Sequence, residues 1–318
     1  MIADSLGQFL SERDWLLADG ATGTNLYNMG LRPGEPPELW CETHPDRVLA
    51  LHRAMVAAGA DIILTNSFGA NESRLRLARA ADRVEALNVK AAELARIAAG
   101  EADRRVLVAG SIGPTGEIIA PMGRLTEAEA TRIFTDQAAA LKAGGADLLW
   151  VETISTGEEL RAASSAAKAV GLPWAGMMSF EPGGWTLMGV TPPQLAALVE
   201  RLPLRPKAYG ANCGTGPSEL LQAVAGFAAA GSERTMIAKP NAGVPRYQDG
   251  GLIYDATPDV MAEFAILARD LGVRIIGGCC GTTPAHLAAM RQKLETTPKG
   301  KRPTQESIAL RMGEAAAR

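Results

Sequence analysis

The sequence predicts a single-domain (β/α)8 barrel, and three observations support it. Eight short β-rich runs alternate with helical stretches long enough to cross back over a sheet. The runs are apolar nearly throughout, as strands buried on both faces of a closed parallel sheet must be. No GxGxxG follows the first run, so the competing doubly wound dinucleotide fold lacks its fingerprint. An α/β TIM barrel is therefore expected.

The strands are expected at residues 15–20, 61–67, 106–111, 147–153, 174–180, 208–213, 235–241 and 273–280. The runs end in Gly, Ser, Thr, Asn or an acidic residue, the punctuation expected at strand ends. Between the first two lies an amphipathic stretch, 45–58, whose Val48, Leu51, Met55 and Val56 fall on roughly one face. The Ala-rich stretch 127–143 is a second crossover helix. Thr191-Pro192, Gly216-Pro217, Thr257-Pro258 and Thr283-Pro284 each place proline at a first helical position. The barrel is expected to span residues 1–296. A C-terminal extension, 297–318, follows where the pattern gives way to TTPKGKRPTQES, and it is expected to be partly ordered.

Composition narrows the function. With 318 residues, 47% hydrophobic and 21% charged, the chain has ample material for a core. A net charge of −3 lacks the basic excess of a nucleic-acid binder. No apolar run approaches membrane-spanning length, and the acidic N-terminus is unlike a signal peptide, so a cytoplasmic enzyme with small-molecule substrates is expected.

In a barrel of this kind the chemistry sits at the C-terminal strand ends. Asp19, Asn66, Glu152, Cys213, Lys239, Asn241 and Cys279-Cys280 all fall there. Three of the four cysteines lie in Gly-rich strand-end turns, NCGTG and GGCCGT, whereas Cys41 has no partner in the pattern. Adjacent Cys279 and Cys280 could bridge each other only through a strained ring. Strands six and eight open onto one rim, so Cys213 can join the pair and give three thiolates to one tetrahedral Zn2+. The open fourth position marks a catalytic site. Three thiolates weaken the ion as a Lewis acid for hydrolysis, so a thiol substrate is indicated, activated as a sulfur nucleophile.

These residues carry a resemblance. DGATGTNL from Asp19, TNSFGAN, GSIGPTGE, WVETIS, GANCGTGP, KPNAG and IIGGCCGTTPAHL resemble the zinc-dependent homocysteine S-methyltransferases over nearly the whole barrel. That family includes betaine-homocysteine methyltransferase and the homocysteine module of cobalamin-dependent methionine synthase. The resemblance implies that Cys213, Cys279 and Cys280 are zinc ligands and that Asp19 and Glu152 hold the amino group of L-homocysteine, which becomes methionine. The loop Gly20, Ala21, Thr22, Gly23 is expected to receive the substrate carboxylate through backbone N–H groups. Asn66, Ser67 and Phe68 join it as substrate-binding residues.

Glycine betaine ranks first as methyl donor, because a stand-alone barrel can use it unaided. Its quaternary ammonium calls for an aromatic cage, for which Trp40, Phe68, Trp185 and Tyr247 are candidates. Gly69 stands where the animal betaine enzymes carry a tyrosine after the Phe of this motif. The alternatives are a methyl-corrinoid on a separate protein, as no cobalamin domain is expected in this chain, and S-methylmethionine third. Two rivals of another class remain: a Schiff-base lyase using Lys239, and a thiolate site that binds zinc without catalysis.

Overall fold

A computed structural model describes residues 4–231, 233–248 and 251–317; residues 1–3 of the expected barrel span and residue 318 of the extension lie outside the described residues. Eight parallel strands follow one another as β1 (Leu16–Leu17), β2 (Ile62–Leu64), β3 (Leu107–Ile112), β4 (Leu148–Ile154), β5 (Trp174–Met178), β6 (Ala208–Cys213), β7 (Thr235–Pro240) and β8 (Val273–Ile276). Each strand from β2 to β8 pairs in parallel with the next, and β8 pairs with β1. The ring closes between β1 and β2 through a parallel bridge from Ala18 to Ile62. There Asp19 N–H donates to Ile62 O at 2.9 Å and Asp61 N–H to Leu17 O at 2.6 Å. The expected barrel is the observed one.

Several strands are shorter than their apolar pattern suggested. β8 stops at Ile276 because Gly277 and Gly278 must pass close to other chain: a Cβ on Gly277 would lie 2.8 Å from Ala18 O, and one on Gly278 2.2 Å from Thr282 Oγ1. β2 stops at Leu64, and Thr65, Asn66 and Ser67 turn their side chains to local partners instead. The residues lost from the ladder are those that build the upper rim.

Inside the ring, Leu16, Ile62, Leu107, Leu148, Ile237 and Ile275 pack with Trp150. A helix not foreseen from sequence, Ser5–Glu12, adds Leu6, Phe9 and Leu10 to this inner cluster and stoppers the lower end. Arg105 and Arg274, beside the starts of β3 and β8, hold it by donating to Ser5 O and Leu10 O at 3.1 and 2.6 Å. The crossover helices supply the outer layer, including Pro45–Ala57 and Glu127–Ala143, the latter begun by a Thr126/Glu129 capping box. Pro192, Pro217, Pro258 and Pro284 each open a helix. In the C-terminal extension, Gln305–Ala316 forms a helix whose Ile308, Met312 and Ala315 are buried in the outer core. No helix among the described residues is long and apolar enough to cross a membrane.

One buried group gives the outer layer a pH dependence. His52 is 1% exposed on the inner face of helix Pro45–Ala57, and its Nε2 has no partner. Burial pushes the imidazole down to about 4. The unfolded chain takes up this proton below about pH 6.5, while the native chain resists until its own lower pKa. The contribution is thus intact above about pH 6.5 and is lost as pH falls toward 4, to the extent of roughly 2–3 kcal/mol. Urea midpoints at pH 7 and pH 4.5 should therefore differ more in the native chain than in His52→Leu. Equal shifts in the two proteins would remove His52 as the cause.

Candidate metal centre and active site

Cys213, the last residue of β6, and Cys279-Cys280, just past β8, meet above the barrel. Their three Sγ atoms all lie within 4.8 Å of one another, with Cys213 and Cys279 3.6 Å apart. Zinc–sulfur bonds of about 2.3 Å put tetrahedral sulfurs roughly 3.8 Å apart, so this triangle has the dimensions to hold one ion. The thiols are free, Cys279 Sγ donates to Cys213 Sγ, and the crowding of three sulfurs drives their acidities apart. Cys280, beside the other two thiols, is held well below the usual thiol range, while Cys213 is pushed far up.

Two asparagines shape the triangle. Asn241, at the exit of β7, donates to Gly214 O at 2.6 Å and accepts from Cys280 N–H at 3.0 Å, tying both cysteine loops to one amide. Asn212 accepts from Thr153 N–H and donates to Thr153 Oγ1, both at 2.8 Å. Thr153 and Cys213 each have φ of +64°, a left-handed turn that is strained for a β-branched residue such as threonine. The Asn212 clamp holds that turn at the end of β4, immediately after Glu152.

Glu152 accepts from Ser111 Oγ at 2.7 Å through Oε1, and its Oε2 has no partner among the described residues. Burial lifts its pKa to about 7, against the pull of Lys239. Asp19 is placed differently from the sequence expectation. Its Oδ2 accepts from Leu64 N–H at 2.7 Å and its Oδ1 faces Lys239 Nζ at 3.0 Å. Asp19 is 2% exposed, and the lysine lines the cavity in its stead. Lys239 Nζ also lies over the Trp150 ring, 5.3 Å from its centroid. Burial works against the Lys239 charge, but Asp19 and Glu152 outweigh it and raise its pKa. The pair stands as a buried ion pair, and of the two carboxylates expected to hold an amino group only Glu152 presents a free oxygen to the cavity.

The cavity above these groups measures about 660 Å³. Gly20, Ala21, Thr22 and Gly23 line one side, with Asn66, Ser67 and Phe68 on another. Gly20 is required by close approach rather than by positive φ: a Cβ there would lie 2.6 Å from Thr282 O. That carbonyl also accepts from Ala21 N–H at 3.1 Å and Asn25 Nδ2 at 2.9 Å, locking the loop after β1 to the loop after the cysteine pair. Asn66 and Ser67 have structural partners: Asn66 Nδ2 donates to Pro37 O at 2.7 Å and Ser67 Oγ to Ser111 O at 2.7 Å. Cys41 is fully buried against Asn66 O, and burial pushes its thiol up to about 12, as befits a packing residue.

The aromatic cage does not assemble from its expected members. Trp40 is buried with its Nε1 donating to Glu35 at 3.1 Å, and Trp185 and Tyr247 are exposed away from the cavity. Of the four only Phe68 lines it, together with Tyr27 and Tyr254, which sequence reasoning did not single out.

The family model for homocysteine S-methyltransferase matches residues 16–294. The chain is 33% identical over 288 residues to methionine synthase of Mycobacterium tuberculosis, covering 86% of this chain and 24% of that protein. It is 32% identical over 308 residues to methionine synthase of Mycobacterium leprae, covering 90% of this chain and 25% of the relative. The chain thus spans about a quarter of the length of these relatives. Among solved structures it is similar to the metallated form of the homocysteine methyltransferase MmuM from Escherichia coli, with a TM-score of 0.74 and 26% identity, covering 91% of this chain and 99% of that one. The apo form of the same enzyme superposes with a TM-score of 0.71 at 25% identity, covering 89% and 97% of the two chains. The match from β1 into the last barrel helix, together with these likenesses, shows that the chain belongs to the homocysteine S-methyltransferase family.

Proposed function

We propose that this chain moves a methyl group onto the thiol sulfur of L-homocysteine to give methionine, with zinc held by Cys213, Cys279 and Cys280 and with a methyl-corrinoid on a separate protein or domain as donor. The observation that carries the reading is the sulfur triangle opening onto a cavity beside the free oxygen of Glu152. Zinc, when bound, supplies a positive charge that favours the thiolate form of the substrate, the nucleophilic form, at neutral pH.

The chain's own groups set the rest of the geometry. Glu152, fixed by Ser111, accepts from the substrate ammonium through its second oxygen. The ammonium in turn favours the ionised carboxylate, against the burial that lifts its pKa. The loop of residues 20–24 lines the cavity, and the amides of Gly23 and Thr24, which open a helix, have no acceptor within it and are the groups to receive the substrate carboxylate. Lys239, which lines the cavity, offsets the buried Asp19 behind it, and this leaves Glu152 as the carboxylate for the amino group. The transfer is a displacement in line: a sulfur–carbon bond forms as the donor's bond to the methyl carbon breaks, its electron pair leaving with the donor.

Glycine betaine ranks first from sequence; of the cage expected for it only Phe68 lines the cavity, joined by Tyr27 and Tyr254. A donor carried on a macromolecule gains support from the rim. Of the eleven exposed large apolar side chains among the described residues, nine lie on segments that follow strand ends on the cavity side, including Leu77, Ile118, Met122, Trp185, Leu187 and Tyr247. Tyr27 and Leu77 line the cavity itself, and a carrier seated on these loops would cover them.

Purified protein incubated with homocysteine and methylcobalamin, glycine betaine or S-methylmethionine should form methionine, read by mass spectrometry, with methylcobalamin alone of the three. Turnover with betaine and none with methylcobalamin would reverse the donor assignment.

A further inference from the structure

The ends of β4 and β6 are joined by one side chain although β5 lies between them. At the end of β4 the ladder with β5 slips: Val151 pairs with Gly176 and Ile154 with Met178, so Glu152 and Thr153 together oppose the single residue Met177. A bulge of this kind re-aims a side chain away from its regular direction. Thr153 carries the left-handed backbone of the bulge, and the Glu152 carboxylate comes directly before it.

Asn212 is the residue that holds this bulge. It is fully buried on β6, immediately before Cys213. Its amide reaches past β5 to pair twice with Thr153, accepting from N–H and donating to Oγ1, both at 2.8 Å. Its Nδ2 also lies 3.8 Å from Cys279 Sγ. One side chain thus touches the turn beside Glu152 and the sulfur triangle together, while its own backbone carries Cys213. Ser111 Oγ, 2.7 Å from Glu152 Oε1, ties the carboxylate on its other side. The separation between carboxylate and sulfurs is therefore set by the protein before any ligand arrives.

We infer that Asn212 is a positioning residue that fixes the spacing between Glu152 and the sulfur triangle, and that this spacing selects a thiol amino acid with two side-chain methylenes over one with a single methylene. The inference rests on the function proposed above, in which Glu152 takes the substrate ammonium and the triangle faces its sulfur. A ligand gripped at both ends of a rigid frame must match the length of that frame. Cysteine, one methylene shorter than homocysteine, satisfies one end and falls short of the other. A frame that yields admits both.

Calorimetric titration of the zinc-loaded protein with L-homocysteine and L-cysteine reads the selection as a ratio of dissociation constants, with no methyl donor present. The native protein is expected to favour homocysteine by about 10–200-fold, the range for one methylene. Asn212→Ala removes the strut, and Thr153→Gly loosens the same turn from its other end without changing a residue of the sulfur triangle. Each should lower the ratio by about tenfold, the scale of one hydrogen bond, with zinc content unchanged. Thr153→Ser keeps the hydroxyl and should keep the native ratio. Thr153→Gly decides the matter by itself where Asn212→Ala does not fold. No preference in the native protein, or the native preference retained in the zinc-loaded Thr153→Gly and Asn212→Ala proteins, would overturn the role of Asn212. A zinc-loaded native protein that binds neither amino acid would instead overturn the function on which that role rests.

Discussion

Replacing Cys213, Cys279 or Cys280 by Ala is expected to reduce metal content from about one ion per chain to near zero and methionine formation by at least about a thousandfold. The three sulfurs lie within 4.8 Å of one another, and a catalytic site with three protein ligands does not keep its ion when one is lost. The fold should survive each change, because the three residues sit on the rim and are only partly buried. Cys41→Ala is the control: it removes a fully buried thiol of the outer core and should leave metal content untouched. Elemental analysis and homocysteine turnover on the four variants decide the matter. One rim variant that keeps both metal and activity would defeat the assignment.

The second large effect is expected at Lys239. Lys239→Met leaves the Asp19 carboxylate unpaired where it is 3% exposed, which costs about 3–5 kcal/mol for a broken buried pair. Lys239→Met combined with Asp19→Asn removes both charges and should cost less than the two single changes added, by about 2 kcal/mol. Urea unfolding of the native chain, the two single variants and the double variant measures that coupling. Simple additivity would show that the two charges do not depend on each other. The same pair argues against the Schiff-base reading. An amine held protonated by a neighbouring carboxylate is a poor nucleophile, and borohydride trapping of a carbonyl compound on Lys239 should fail.

How much of this was legible in the chain itself varies by residue. The strand count and the helix starts at Pro192, Pro217, Pro258 and Pro284 were readable, because alternation and proline are local signals. Cys213 and the Cys279-Cys280 pair were readable as a group because strands six and eight must share a rim. The strand ends expected at residues 20, 67 and 280 lie beyond the observed ends of β1, β2 and β8: the segments that follow stay largely buried although they are polar or glycine-rich, and the backbone leaves the ladder for close approaches at Gly20 and Gly277. The partner of Asp19 was hidden because it lies 220 residues away, on β7. From sequence, Lys239 is a strand-end rim residue and a candidate nucleophile, with no sign of its ion pair. Tyr254 carries no motif of its own, and only the glycine following the cysteine pair hints at a ring above it. The helix Gln305–Ala316 was read as a partly ordered tail because its TTPKGKRPTQES approach is polar, yet Ile308, Met312 and Ala315 give it an apolar stripe.

The stopper formed by Leu6, Phe9 and Leu10 has a kinetic implication. With the lower end shut, the cavity beside the sulfur triangle opens at the opposite end. If the chain acts as proposed above, with a bulky methyl carrier, the amino acid has to enter before that carrier covers the doorway, and the product can leave only once the carrier has withdrawn.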